Sequence, residues 1–228
     1  METRPYYEAY DDRYRQVHQE KLEWFSRNPS PIVGQVLEEF HLGPASMILE
    51  LGSGEGRDAI ALLNRGFQVL ATDISPEAIA HCRKIAPDFA DRFQVLDCVG
   101  GRLEETFDFI YAVAVLHMLV EDEHRKGFYQ FIRNHLRDGG IALICTMGDG
   151  EVQRHSDTTN AFSLQERIHA QSGKLLHIAS TSCRMVDFPT FQLELEENGL
   201  HILSQGITAI EPDFTEMMYA VAERCDLG

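Results

Sequence analysis

The chain has 228 residues, with 20 Lys plus Arg against 36 Asp plus Glu, a formal charge of −16, and 10 His counted neutral. Hydrophobic residues at 44% and charged residues at 25% are globular proportions, and the length suffices to bury one sizeable core. So acidic a chain is repelled by phosphate backbones and anionic lipid, and its one basic run, His124-Arg125-Lys126, is short, which argues against nucleic acid and membranes as partners.

Residues 1–14 are polar and charged, without the apolar stretch of a secretion signal, and no segment has the apolar length of a membrane span. The five cysteines (Cys82, Cys98, Cys145, Cys183, Cys225) are scattered and form no C-x-x-C pair. They read as reduced thiols, with neither a disulfide frame nor a metal site, and the expectation is a cytoplasmic protein.

Residues 7–25 are predicted to be a helix, ended by Asn28-Pro29-Ser30-Pro31. A second short helix covers 32–40, stopped by Leu42-Gly43-Pro44. A strand follows over 47–51, then a glycine-rich turn and a helix over 57–65 closed by Gly66. The second strand is 67–72, and Ser75-Pro76-Glu77 opens the next helix with a cap, a proline and an acid. A third strand over 93–96 ends at Asp97, and a fourth over 107–115 is apolar on both faces, as a central parallel strand should be. A helix over 122–136 ends at Asp138-Gly139-Gly140, before a fifth strand over 141–147.

The alternation predicts an α/β fold, a Rossmann-like doubly wound sheet, mostly parallel. Residues 148–182 are long, polar and irregular, the pattern of a lid or binding loop. A helix over 187–197 and two strands, 200–210 and 216–223, then predict an antiparallel hairpin at the C-terminal sheet edge. One domain is expected over 1–228: a helical cap (1–45), a cofactor core (46–147), a lid or substrate insertion (148–186), and a C-terminal helix with hairpin (187–228).

The sharpest local signal is Glu50-Leu51-Gly52-Ser53-Gly54-Glu55-Gly56, at a strand end and opening a helix. Glycines allow positive φ and close approach of a ligand, and the helix N-terminus presents free N–H groups. Asp73 and Asp97 stand at the next two strand tips, so three acids surround one crevice at the switch point of the sheet. The spacing G-x-G-x-G and the acids Glu50 and Glu55 oppose a dinucleotide pyrophosphate. A cofactor with an ammonium, a carboxylate and no phosphate suits them better; S-adenosylmethionine is such a molecule. Tyr6, Tyr7, Tyr10 and Tyr14 read first as the packed face of a helix.

In these motifs the chain resembles the class I S-adenosylmethionine-dependent methyltransferases. Residues 50–56 match the family's first motif, Asp73 its ribose-binding acid, and Asp97-Cys98 its adenine-side turn. Phe107-Asp108-Phe109-Ile110, followed by residues 112–118 with Leu116-His117, matches the fourth motif, and 136–140 match the turn into the fifth strand. The likeness is nearest to small-molecule enzymes of the thiopurine and tellurite-resistance type, through Gly54-Glu55-Gly56-Arg57 and a leading helix with Tyr10-Asp11-Asp12-Arg13-Tyr14 and Trp24. It implies cofactor contacts at Glu50, Gly52, Ser53, Gly54, Gly56, Arg57, Asp73, Ile74, Asp97, Cys98, Ala112 and Tyr14.

The function so implied is methyl transfer to an O, N or S atom of a small-molecule acceptor. Where that atom is a hydroxyl a general base is needed, and His117, His155 and Asp149 are the candidates, in that order. Two other readings stand beside it: a nicotinamide-dependent oxidoreductase, and a cofactor-binding module without turnover. The sequence leaves the acceptor and the oligomeric state open.

Overall fold

The computed structural model describes residues 4–225. The chain opens with a single turn over Tyr6–Glu8 and helix α1, Ala9–Gln19. This helix stops six residues short of the predicted end. Lys21 adopts the left-handed region at φ 57°, Lys21 N–H donates to His18 O, and Leu22 N–H donates to Val17 O. These are the bonds of a helix end that usually carries glycine, here sealed by packing of Leu22 on Val17. With lysine at that position, the stop had no local signal in the sequence. Residues 20–30 instead form an extended strap leading into α2, Pro31–Glu39.

Strand β1 (Met47–Leu51), α3 (Arg57–Asn64), β2 (Gln68–Asp73), α4 (Pro76–Ile85) and β3 (Phe93–Val95) follow as expected. Ser75 caps α4 by accepting Ala78 N–H through its side chain, with Pro76 at the first position. β4 (Phe107–Val113), α5 (Asp122–His135) and β5 (Leu136–Met147) complete the alternating part.

Residues 148–186 are less irregular than predicted. They hold two short ladders, β6 (Arg154–His155) with β9 (Arg184–Met185) and β7 (Leu164–Ile168) with β8 (Leu175–Ala179). Leu176 and Ile178 of β8 pack on Val17 of α1, and Ala179 packs on Ala9. Arg13 of α1 donates to the carbonyls of Ala179 and Ser180. The insertion therefore buttresses the outer side of α1. Helix α6 (Phe188–Glu197) and strands β10 (Leu200–Ile210) and β11 (Phe214–Arg224) end the described chain.

The main sheet has seven strands in the order β10-β11-β5-β4-β1-β2-β3. β1, β2, β3, β4 and β5 are mutually parallel, while β11 runs antiparallel to β5 and β10 antiparallel to β11. The predicted edge hairpin is present, and only its inner strand, β11, opposes the rest. One face of the sheet packs on α5 and α6 through Phe128, Phe131, Phe191 and Leu195. The other packs on α2, α3 and α4 through Val33, Leu37, Leu62 and Ile79. Among the described residues, no helix is long and apolar enough to cross a membrane.

Arg125 of α5 is 2% exposed and forms a bidentate pair with Glu194 of α6, at 2.8 and 2.6 Å. It also donates to the carbonyls of Leu116 and Leu119, holding the turn that follows β4. Removing one partner of a buried pair strands the other charge. Arg125→Ala is expected to cost about 3–5 kcal/mol, read as a lower urea midpoint in equilibrium unfolding.

Candidate active site

The carboxyl ends of β1, β2 and β4 open on one crevice, because β1 lies between neighbours reached by crossovers in opposite directions. The turn after β1 is built on three left-handed glycines: Gly52 at φ 68°, Gly54 at 53° and Gly56 at 81°. A Cβ on Gly52 would stand 2.3 Å from Val115 Cγ2, and one on Gly54 would stand 2.6 Å from the Tyr14 hydroxyl. Glycine is required at both positions for conformation and for space.

Asp73 joins this turn to the next. Its carboxylate accepts Gly54 N–H and Ser75 N–H, each at 2.8 Å. Burial pushes the Asp73 carboxyl up to about 6, against the opposing pull of those two N–H groups. Asp11 of α1 accepts the Ser75 hydroxyl and Glu77 N–H, fastening α1 to the start of α4. At the third tip, Asp97 accepts Val99 N–H at 2.8 Å and the Tyr7 hydroxyl at 3.3 Å. Burial raises the Tyr7 hydroxyl and the Cys98 thiol well above their ordinary values.

The crevice holds about 930 Å³ of empty space, counting its open mouth. Of the predicted cofactor residues, the structure brings Tyr14, Glu50, Gly52, Ser53, Gly54, Arg57, Asp73, Ile74, Asp97 and Cys98 into its wall. Two stand behind it. Gly56 ends the turn as the cap of α3, facing Cys82, Ile60 and Phe93, and Ala112 is buried within β4, paired with Leu51 and Ile144. The wall begins one residue later, at Val113, and continues through Ala114, a non-glycine residue at φ 59°.

The predicted bases are not brought together. His117 is buried beneath the turn after β4, outside the wall, and burial, with Arg125 and Arg13, lowers its ring to about 3. It is a neutral, packed imidazole. His155 lies on β6 in a separate surface groove with Asp157 and Arg184. Asp149 is exposed and closes its own turn by accepting Glu151 N–H and Val152 N–H, bonds that hold its carboxyl below the usual range. No residue of 148–186 lines the crevice.

Sequence reasoning missed the roof. Tyr7, Tyr10, Phe25, Ser26 and Phe214 line the crevice from the N-terminal segment and the β10–β11 turn. The tyrosines read first as core packing; here one face of α1 meets the ligand space. The only hint of this was the likeness of the leading helix to the family's.

Two polar atoms of the site are buried and without a partner, Glu50 Oε2 and Ser53 Oγ. Burial and the nearby Asp58 raise the Glu50 carboxyl well above its ordinary value. Arg57, the basic side chain of the wall, is committed to Asp213 at 2.8 Å and lies 3.6 Å from Asp58. The crevice thus offers carboxylates and aromatic faces, and no uncommitted cation. A site so made favours a cationic or neutral ligand.

Comparison with known proteins finds methyltransferases. Residues 49–142 match the methyltransferase domain family. The chain is 31% identical over 110 residues to the tRNA 5-carboxymethoxyuridine methyltransferase of Escherichia coli K12, covering 45% of this chain and 41% of that protein. It is 26% identical over 128 residues to the probable S-adenosyl-L-methionine-dependent methyltransferase TehB of Haemophilus influenzae, covering 54% and 44%. The matched segments thus span less than half the length of these curated relatives. In structure it resembles the 1,6-didemethyltoxoflavin-N1-methyltransferase of Burkholderia thailandensis, with a TM-score of 0.70 at 18% identity over 98% of this chain and 92% of that one. At that identity the likeness shows the fold. In this domain match and this fold, the chain resembles the class I S-adenosylmethionine-dependent methyltransferases.

Gly52→Ala forces a left-handed alanine against Val115, and is expected to cost about 2–4 kcal/mol, measured by urea unfolding.

Proposed function

We propose that this chain transfers the methyl group of S-adenosylmethionine to an O, N or S atom of a small acceptor that is neutral or cationic. The observation that carries the reading is the crevice itself, with carboxylates at three strand tips, Glu50 and Asp73 buried and Asp97 partly so, and no uncommitted cation in its wall. Asp73 keeps lone pairs for ribose hydroxyls beyond those used by Gly54 and Ser75. Asp97 and Cys98 flank the adenine end. Gly52, Ser53, Gly54 and the unpartnered Glu50 Oε2 suit an amino-acid tail, whose ammonium would meet buried negative charge. Tyr14 covers the glycine turn, and Ile74 and Arg57 complete the walls.

Bound there, the cofactor supplies an electrophilic methyl group and a neutral thioether leaving group. What the protein must do is hold an acceptor atom about 3 Å from that methyl, in line, and exclude water. The rings of Tyr10, Phe25 and Phe214 serve both ends by closing the roof. A neutral amine acceptor needs no base from the protein, which fits the distance of His117, His155 and Asp149 from the wall.

A small acceptor is supported by the charge of −16. A tRNA acceptor is the second reading, favoured by the tRNA methyltransferases among the relatives and by a surface groove that gathers Arg15, Lys21, Arg27 and Lys84. Two of these cations are already paired, Arg15 with Asp11 and Arg27 with Glu23, which weakens the groove as a phosphate track.

Calorimetry with S-adenosylhomocysteine is expected to show one site, with affinity reduced about 10- to 100-fold in Asp73→Ala. Unchanged affinity in that variant would overturn the cofactor placement. The sign of the pH dependence follows from Asp73. Ribose hydroxyls donate to the ionised carboxylate, so affinity should be flat well above about 6 and weaken as pH falls through it. Assay of S-adenosylhomocysteine release against phenols, amines, thiols, carboxylic acids and bulk tRNA should show turnover in the first three classes. Turnover with carboxylates or tRNA instead would refute the acceptor class.

A further inference from the structure

Glu55 lies inside the glycine turn, yet its carboxylate points to the strap. Oε1 accepts Trp24 N–H at 2.8 Å, and Oε2 accepts Phe25 N–H at 3.0 Å. Oε1 also meets His18 Nε2 at 2.9 Å, while His18 Nδ1 meets Glu77 Oε1 of α4 at 2.8 Å. Side chains of Glu55 and His18 are 7% and 11% exposed. Beyond Phe25, Ser26 donates through N–H and hydroxyl to Asp213, and Ser30 does the same to Asp58. Phe25 and Ser26, the residues bonded in this way, form part of the roof of the crevice.

We propose that Glu55 and His18 form a latch that holds the strap of residues 20–30 closed over the cofactor crevice, so that ligand entry and release require its opening. The proposal rests on the cofactor reading for the ligand, and on geometry for the latch. Glu55 is the one acid of the turn already saturated by protein donors, so its role is to position the roof. It ties the roof to the very turn that the ligand must contact, so an occupied turn and a closed strap favour each other.

His18 makes the latch sensitive to pH. Both ring nitrogens face carboxylates, so both must carry hydrogen, which is the imidazolium form. Burial alone would lower its pKa; the bonds to Glu55 and Glu77 outweigh burial and raise it. The groups facing it are Glu55 from the turn, Glu77 and the stacked His81 from α4, and Tyr14 from its own helix. Arg15, Lys21, Glu23, Arg27 and Lys84 line the groove around it. With a raised folded-state pKa, the contribution of His18 is complete at low pH and is lost as pH rises through that value. The latch therefore loosens toward alkaline pH, opposite to the loss expected from Asp73 on acidification.

Trp24 is the sole tryptophan of the chain and sits on the strap, so its fluorescence reports the latch directly. Acrylamide quenching of the ligand-free protein is measured from acid to alkaline pH for the natural chain, Glu55→Gln, His18→Gln and Glu77→Gln. Circular dichroism confirms that each variant is folded. Quenching should rise with pH in the natural chain. It should be high at every pH in Glu55→Gln, and lose its pH step in His18→Gln; if Glu55→Gln does not fold, His18→Gln and Glu77→Gln decide. Release of S-adenosylhomocysteine, followed by stopped-flow Trp24 emission, should be about tenfold faster in Glu55→Gln. Quenching and pH profile identical to the natural chain in all folded variants would overturn the latch. If the natural chain binds no S-adenosylhomocysteine, the cofactor reading fails, and the ligand-free quenching still decides the latch.

Discussion

Carboxylates accepting backbone N–H groups are the interaction on which this architecture depends. Asp73 joins the turn after β1 to the turn after β2, Asp97 organises the turn after β3, and Glu55, Asp213 and Asp58 hold successive points of the strap. Each turn or strap exposes amide donors that no helix or strand satisfies, and a charged acceptor forms a stronger bond with them than a neutral one. The excess of acids in the composition is thus partly structural. Removing the carboxylates would leave the crevice without a floor, a rim or a roof.

The same acids set the chemistry. Bringing Glu50, Asp58 and Asp73 together out of water raises the Glu50 and Asp73 carboxyls, a cost held in the ligand-free protein. A ligand that brings positive charge, or hydroxyls that donate to an ionised carboxylate, relieves that cost, whereas a phosphate would add to it. Arg57 does not offset this field for a ligand, because Asp213 already holds it.

Much of the fold was legible because its signals are local. The apolar runs of β1, β2 and β4, the Ser75-Pro76 cap and the glycine turn each encode their conformation within a few residues. The end of α1 was not legible, since Lys21 takes the left-handed position that glycine normally marks. Nor were the ladders of 148–186, whose strands are short and polar on their outer faces and depend on α1 for a surface to pack against. That insertion was expected as a lid, and it is the buttress behind the helix that provides one.

By itself the sequence determined the order of strands and helices, the glycine turn and the acids at the tips of β1, β2 and β3, since each follows from local dihedral preference and hydrophobic period. Only the tertiary structure decided what faces the crevice. It brought Tyr7, Tyr10 and Phe25 over the glycine turn and Phe214 in from the far end of the chain, and it placed His117, His155 and Asp149 outside the wall. The physical reason is that a side chain's role depends on which groups share its desolvated space, and those groups are separated by up to most of the length of the chain.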